Sequence, residues 1–145
     1  MASRPAICSC IVGMAGVLVM LAGCSGTHPV HDWQTHPVPP ERILHSSYLE
    51  AAPGTGLVNV KRDAGWKRAS CPLQLRVDAD PVADLRTSER VVLHLPPGKY
   101  VLSVTDACGG DEKAEMQVTV SLERTVNVRL GADWQAQLLI APTEF

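Results

Sequence analysis

Beyond Pro53, apolar residues recur at every second position, and this period decides what the chain can fold into. Val58 and Val60 alternate with Asn59 and Lys61. Cys71, Leu73, Leu75 and Val77 alternate with Pro72, Gln74, Arg76 and Asp78. The same rhythm runs through Val91, Leu93 and Leu95, through Tyr100, Leu102 and Val104, and through Met116, Val118 and Val120. It continues in Val126, Val128 and Leu130, and in Trp134, Ala136, Leu138 and Ile140. Side chains on a strand alternate between its faces, so each run reads as a strand with one face buried. Asp63-Ala-Gly65, Asp80-Pro81, Pro96-Pro-Gly98, Gly109-Gly-Asp111 and Gly131-Ala-Asp133 separate the runs as turns. Seven or eight short strands so spaced predict an all-β fold over residues 53–145. The expected architecture is an antiparallel β-sandwich, Ig-like or prealbumin-like, with an open barrel as the alternative. Scarce aromatics and abundant Val, Leu and Thr agree with strands rather than a helical bundle.

The first 23 residues follow other rules. A short head carrying Arg4 precedes an apolar run over residues 11–22. That run is short for a spanning helix, which needs about 20 apolar residues, and suits the core of a secretory signal. It ends in Leu21-Ala22-Gly23-Cys24, which resembles the bacterial lipobox. The resemblance implies cleavage before Cys24 and lipid on that cysteine, with a further chain on the new amino terminus. One acyl chain binds a membrane marginally, at about 0.8 kcal/mol per buried CH₂, whereas three give a stable anchor. In proteins with this signal, Asp after the cysteine usually means inner-membrane retention. Ser25 therefore points to the periplasmic face of the outer membrane. An ordinary signal peptide or an uncleaved anchor is the plainer reading.

Of the five cysteines, Cys8 and Cys10 leave with the signal and Cys24 carries lipid. Cys71 and Cys108 remain as an even pair in an oxidising compartment and are expected to form a disulfide. Closing a loop of about 38 residues gives roughly 4 kcal/mol on the chain-entropy argument, often less in practice. Two free thiols or a metal pair compete with this reading, but neither cysteine has a second Cys or a His at ligand spacing.

Residues 24–52 are expected to form a Pro- and His-rich tether, with Thr-His-Pro-Val twice, at 27–30 and 35–38. Prolines favour an extended spacer that lifts a domain off the lipid. Residues 41–50 suit one or two helical turns, or a strap across the domain.

Pro53-Gly-Thr-Gly-Leu-Val-Asn-Val-Lys-Arg-Asp-Ala-Gly65 resembles the opening strand of a group of small proteobacterial lipoproteins of uncharacterised function. So do Val82-Ala-Asp-Leu-Arg86, Glu89-Arg-Val-Val-Leu-His-Leu-Pro-Pro-Gly-Lys-Tyr100, Cys108-Gly-Gly110 and Pro142-Thr-Glu-Phe145. Leu-Pro-Pro-Gly-Lys-Tyr is also similar to a hairpin turn of many carbohydrate-binding, prealbumin-like and surface-anchored β-domains. The resemblance covers residues 53–145 and implies location and fold, with no activity and no functional residue.

The chemistry is sparse. Past the signal, 12 basic residues face 15 acidic ones, a formal charge of about −3, which speaks against nucleic acid as partner. Gly-x-Ser-x-Gly, His-Glu-x-x-His and phosphate-loop motifs are absent from the sequence, and no cofactor is implied. His94 stands on the solvent phase of its strand. Asp78, Asp80 and Asp84 cluster near one turn, where they cap it or hold calcium. His28, His31 and His36 are spaced so that they could gather a soft metal, at the entropic expense of ordering the tether. The most pointed candidate is the first loop, where Lys61, Arg62, Lys67 and Arg68 bracket Trp66. Basic groups around an exposed aromatic suit an anionic partner, unless Trp66 folds onto the sheet edge. Together these features predict a lipid-anchored, non-enzymatic binding or structural module with an envelope protein as partner. A small enzyme or enzyme inhibitor acting on cell-wall polymers is the alternative.

Overall fold

Two sheets close on one aliphatic core in the computed structural model, which describes residues 26–144. The apolar run, Cys8, Cys10, the Leu21-Ala22-Gly23-Cys24 motif, Ser25 and Phe145 lie outside the described residues. Nine strands follow in chain order: β1 (His36–Pro37), β2 (Gly56–Arg62), β3 (Leu73–Val77), β4 (Asp80–Leu85), β5 (Glu89–Leu95), β6 (Gly98–Asp106), β7 (Lys113–Val120), β8 (Val126–Ala132) and β9 (Leu138–Pro142). One sheet has the order β1-β5-β2-β8-β9 and the other β4-β3-β6-β7. Val58, Val60, Leu93, Leu95, Val128 and Leu130 of the first meet Leu73, Leu75, Leu102, Val104 and Val120 of the second, all buried. The fold is an all-β sandwich, and the alternating phases point inward as the period demands.

Pairing is less uniform than expected. β2 runs antiparallel to β5 but parallel to β8, with Val58 opposite Val126 and Val60 opposite Val128. β1 also pairs with β5 in parallel. The five-stranded sheet is therefore mixed rather than purely antiparallel, because alternation specifies faces and not neighbours.

Two turn assignments move. The bend between β3 and β4 falls at Asp78 and Ala79, and Asp80-Pro81 already opens β4. β4 escapes a period-2 reading because Val82 and Ala83 are both buried, beside a register shift in the β3–β4 ladder. At the other end, β9 begins only at Leu138. Residues 133–137 form a tight turn in which Asp133 Oδ1 accepts from the amides of Gln135 (2.9 Å) and Gln137 (2.8 Å). Ala136 takes the left-handed region with φ 64°. This turn puts Trp134 outside, against the inward phase read from the sequence.

The Pro- and His-rich segment is not a free spacer where the structure describes it. Residues 27–49 lie along the sandwich. Thr27 N donates to Ala132 O (3.1 Å), and His28 pairs with Ala64 through two bonds of 2.9 and 3.0 Å. Val30 and Val38 are buried. The segment then adds β1 to the sheet edge and crosses to β4, where Leu44 N donates to Val82 O at 2.8 Å. Three single 3-10 turns, Asp32–Gln34, Pro40–Arg42 and Ser46–Leu49, carry it round the corners. Prolines favour extended geometry, and here that geometry matches a sheet edge instead of open solvent.

Candidate functional site

β2 and the loop after it were the expected contact for an anion, and the structure gives each cation an internal partner. Lys61 shares the outer face of β2 with Asn59, and Asp63 follows just past the strand's end. Lys61 is 1% exposed and lies between Arg90 of β5 and Arg129 of β8. Three cations side by side repel one another across a sheet. Carboxylates from elsewhere relieve the row. Asp32 of the first 3-10 turn lies 3.0 Å from Lys61 Nζ and 3.8 Å from Arg90, and accepts from Asn59 at 3.3 Å. Asp63 pairs with Arg129, whose Nε donates at 3.1 Å. The hydrogen bond from Lys61, stronger than the opposing effect of burial, holds the Asp32 carboxyl below the usual carboxylate range.

Arg62 points the other way, into the end of the core, and is 2% exposed. Its guanidinium donates to the carbonyls of Cys71 (2.8 Å), Leu85 (2.7 Å) and Arg68. Burial pushes its pKa down to about 10, so it stays charged at neutral pH. It ties β2, the following loop and the disulfide strand together. Lys67 is buried and donates to the Trp134 carbonyl, with its ammonium 5.9 Å from the centre of the Trp66 ring. Arg68, left-handed at φ 54°, reaches Asp106 (2.9 Å), Glu112 and the Ala136 carbonyl. The expected basic grip is therefore corrected: these four cations rivet the fold. Of the five candidate residues only Trp66 faces solvent, at 76% exposure.

The other candidates are scattered. Cys71 and Cys108 are bonded, with Cα atoms 5.8 Å apart at the rim of the core. Beside them a polar cleft of about 500 Å³ is lined by Gln74, Arg76, Asp78, Thr105, Asp106 and Lys113. Asp78 accepts from the Val101 amide (2.9 Å), Asp80 from the Tyr48 hydroxyl (2.9 Å) and Asp84 from the Gln74 amide (3.2 Å). Each carboxylate caps a different element, and the three do not converge. His28, His31 and His36 are exposed and separately engaged. His28 bridges to Ala64, His31 stacks on Trp33 at 6.0 Å, and His36 sits in β1 opposite Glu89. His94 is half-buried opposite Leu57, in a shallow hollow with Thr55, Leu122 and Arg124.

What the sequence did not reveal is a built corner where the chain joins the domain. Thr27 Oγ donates to Asp63 Oδ2 (2.9 Å) and accepts from the Ala132 amide (2.9 Å). A side chain at Gly131 would collide with both Thr27 and Asp63, which is why a glycine stands there. Trp66 and Trp134 project from the two loops that flank this corner. Asp133 before Trp134 was the local signal, since Asp commonly turns the backbone two residues on. No protein-family model and no curated protein matches the chain.

Proposed function

We propose that the chain is an exported lipoprotein, cleaved before Cys24 and held by lipid at the periplasmic face of the outer membrane. There the sandwich serves as a non-enzymatic binding or structural module for an envelope protein assembly. The observation that carries this reading is the Leu21-Ala22-Gly23-Cys24 motif, which closes the apolar run and stands three residues before Thr27, a residue bonded to the sandwich. The disulfide suits an oxidising compartment. The surfaces offered to a partner are the edges β7 and β9. β4, by contrast, is crossed by Ile43 and Leu44. Edge strands present unpaired backbone groups to a neighbour.

Labelled palmitate is expected to enter the wild-type protein and not Cys24→Ser, and an unlabelled wild type would sink the anchor. Ser25→Asp is expected to move the protein from the outer- to the inner-membrane fraction. Crosslinking in the living bacterium is expected to trap an envelope protein in stoichiometric amount. Cleavage of purified cell-wall fragments, without such a partner, would replace this reading by the enzymatic one.

A further inference from the structure

We infer that Trp66 and Trp134 form an interfacial contact that seats the domain directly on the leaflet holding Cys24. The inference rests on the lipoprotein reading above and goes beyond it, because a tethered domain has no need to touch the bilayer.

All three tryptophans lie on the surface, and two of them, Trp66 at 76% and Trp134 at 70% exposure, share one end. Lys67 places them there, since its ammonium meets the Trp134 carbonyl and faces the Trp66 ring. Both loops are stiff. Asp133 fixes the turn that carries Trp134, and Arg68 holds the Ala136 carbonyl of the same turn. The backbone that carries Trp134 is thus held in place.

The chain's own path supplies the occupant. A Cβ on Gly26 would lie 3.7 Å from the Trp134 amide nitrogen, and Thr27 is pinned to Ala132 and Asp63. Cys24 stands two positions before Gly26 in the sequence, a chain reach of about 7 Å at most. Acyl chains on Cys24 would therefore start within that reach of Gly26, next to the Trp134 loop, leaving little room for a spacer. Indole, with an apolar body and one N–H donor, favours the headgroup level of a bilayer. The nearby cations are already bonded to carbonyls and carboxylates, so the contact is aromatic and independent of anionic lipid.

The test uses the full acylated protein, purified from membranes, with Trp33→Phe to silence the third ring. It is bound to vesicles of phosphatidylcholine brominated on the acyl chains. Tryptophan emission is expected to shift to the blue and be quenched by the bromines, with Trp66→Phe and Trp134→Phe each removing about half of the quenching. Mass spectrometry of the same sample reports acylation. Acylated, vesicle-bound protein whose tryptophans are quenched by aqueous iodide and not by bromine overturns this inference alone, and leaves the rings to a protein partner. Protein found without acyl chains overturns the anchor reading and this inference with it.

Discussion

From Val58 to Arg62, β2 is buried on both of its faces, by opposite means. Inward, Val58 and Val60 meet an aliphatic core in which Leu75, Leu93, Leu102 and Leu130 are fully covered. Outward, Asn59, Lys61 and Asp63 are just as covered, yet they lie among Asn127, Arg129, Arg90 and Asp32. Apart from Arg62 at its end, which binds backbone carbonyls, the inner face is closed by apolar contact area, which is additive and tolerant. The outer face is closed by a row of cations that residues from the docked N-terminal segment help to neutralise. A charged sequence motif is therefore no guide to exposure when the neutralising partner arrives from 30 residues away. Substitutions on the two faces should separate these two kinds of burial.

The largest effect belongs to the inner face. Leu93→Ala, at a site with no exposure, is expected to cost about 4 kcal/mol in denaturant unfolding, through lost transfer energy and a cavity. A cost below about 1 kcal/mol would mean that the sheets collapse freely around the gap and are not close-packed. Next comes the rim. Cys71→Ser with Cys108→Ser is expected to cost about 3 kcal/mol. That falls short of the ideal-chain figure because the unfolded chain keeps residual structure and so gains less entropy on losing the cross-link. Reducing agent on the wild type should reproduce the double variant's midpoint.

The inner face was legible because period-2 alternation is a local property. Each run announced its buried phase without knowing its partner, and Cys71 and Cys108 were paired by being the two cysteines left. Most of what was misplaced depends on distant residues. The parallel β2–β8 pairing leaves no mark in either strand. β4 hides behind a bulge that buries Val82 and Ala83 together. Lys61, Arg62, Lys67 and Arg68 looked free because their acceptors stand at positions 32, 85, 106, 112, 134 and 136. The prolines of the N-terminal segment signalled extension correctly, but not that a sheet edge would receive it.

A smaller effect concerns that segment and depends on pH. Glu89 is buried and binds Arg42 bidentately while accepting from the Arg86 amide. Burial pushes its carboxyl up, but the bonds from Arg42 and Arg86 outweigh this and hold it below the ordinary range. A group whose folded pKa is depressed adds stability above its unfolded value, about 4.3 for Glu, and that stability is lost as pH falls through the folded pKa. Asp32, shifted the same way, acts in the same sense. Residues 27–49 are therefore expected to become sensitive to protease in acid while the core stays folded. Glu89→Gln should cost about 1–2 kcal/mol at neutral pH and flatten the acid limb. An unchanged acid limb in this variant would show that Glu89 does not hold the segment.

The smallest expected effect carries the comparison furthest. Lys61 is as deeply covered as Leu93, so a count of buried area would give Lys61→Met and Leu93→Ala similar standing. The electrostatics say otherwise. The ammonium has already given up its water, and its partner Asp32 remains about half exposed, so the attraction is screened and does little more than offset the desolvation. Met has nearly the same length and no charge, and its arrival removes one member of the repelling row with Arg90 and Arg129. Lys61→Met is expected to change stability by less than about 1 kcal/mol in either direction. The cycle with Asp32→Asn should likewise show coupling below about 1 kcal/mol. A loss comparable to that of Leu93→Ala would mean that the outer face is held by its ion pairs as firmly as the inner face is held by packing. The N-terminal segment would then be part of the sandwich's own stability rather than a layer laid on it.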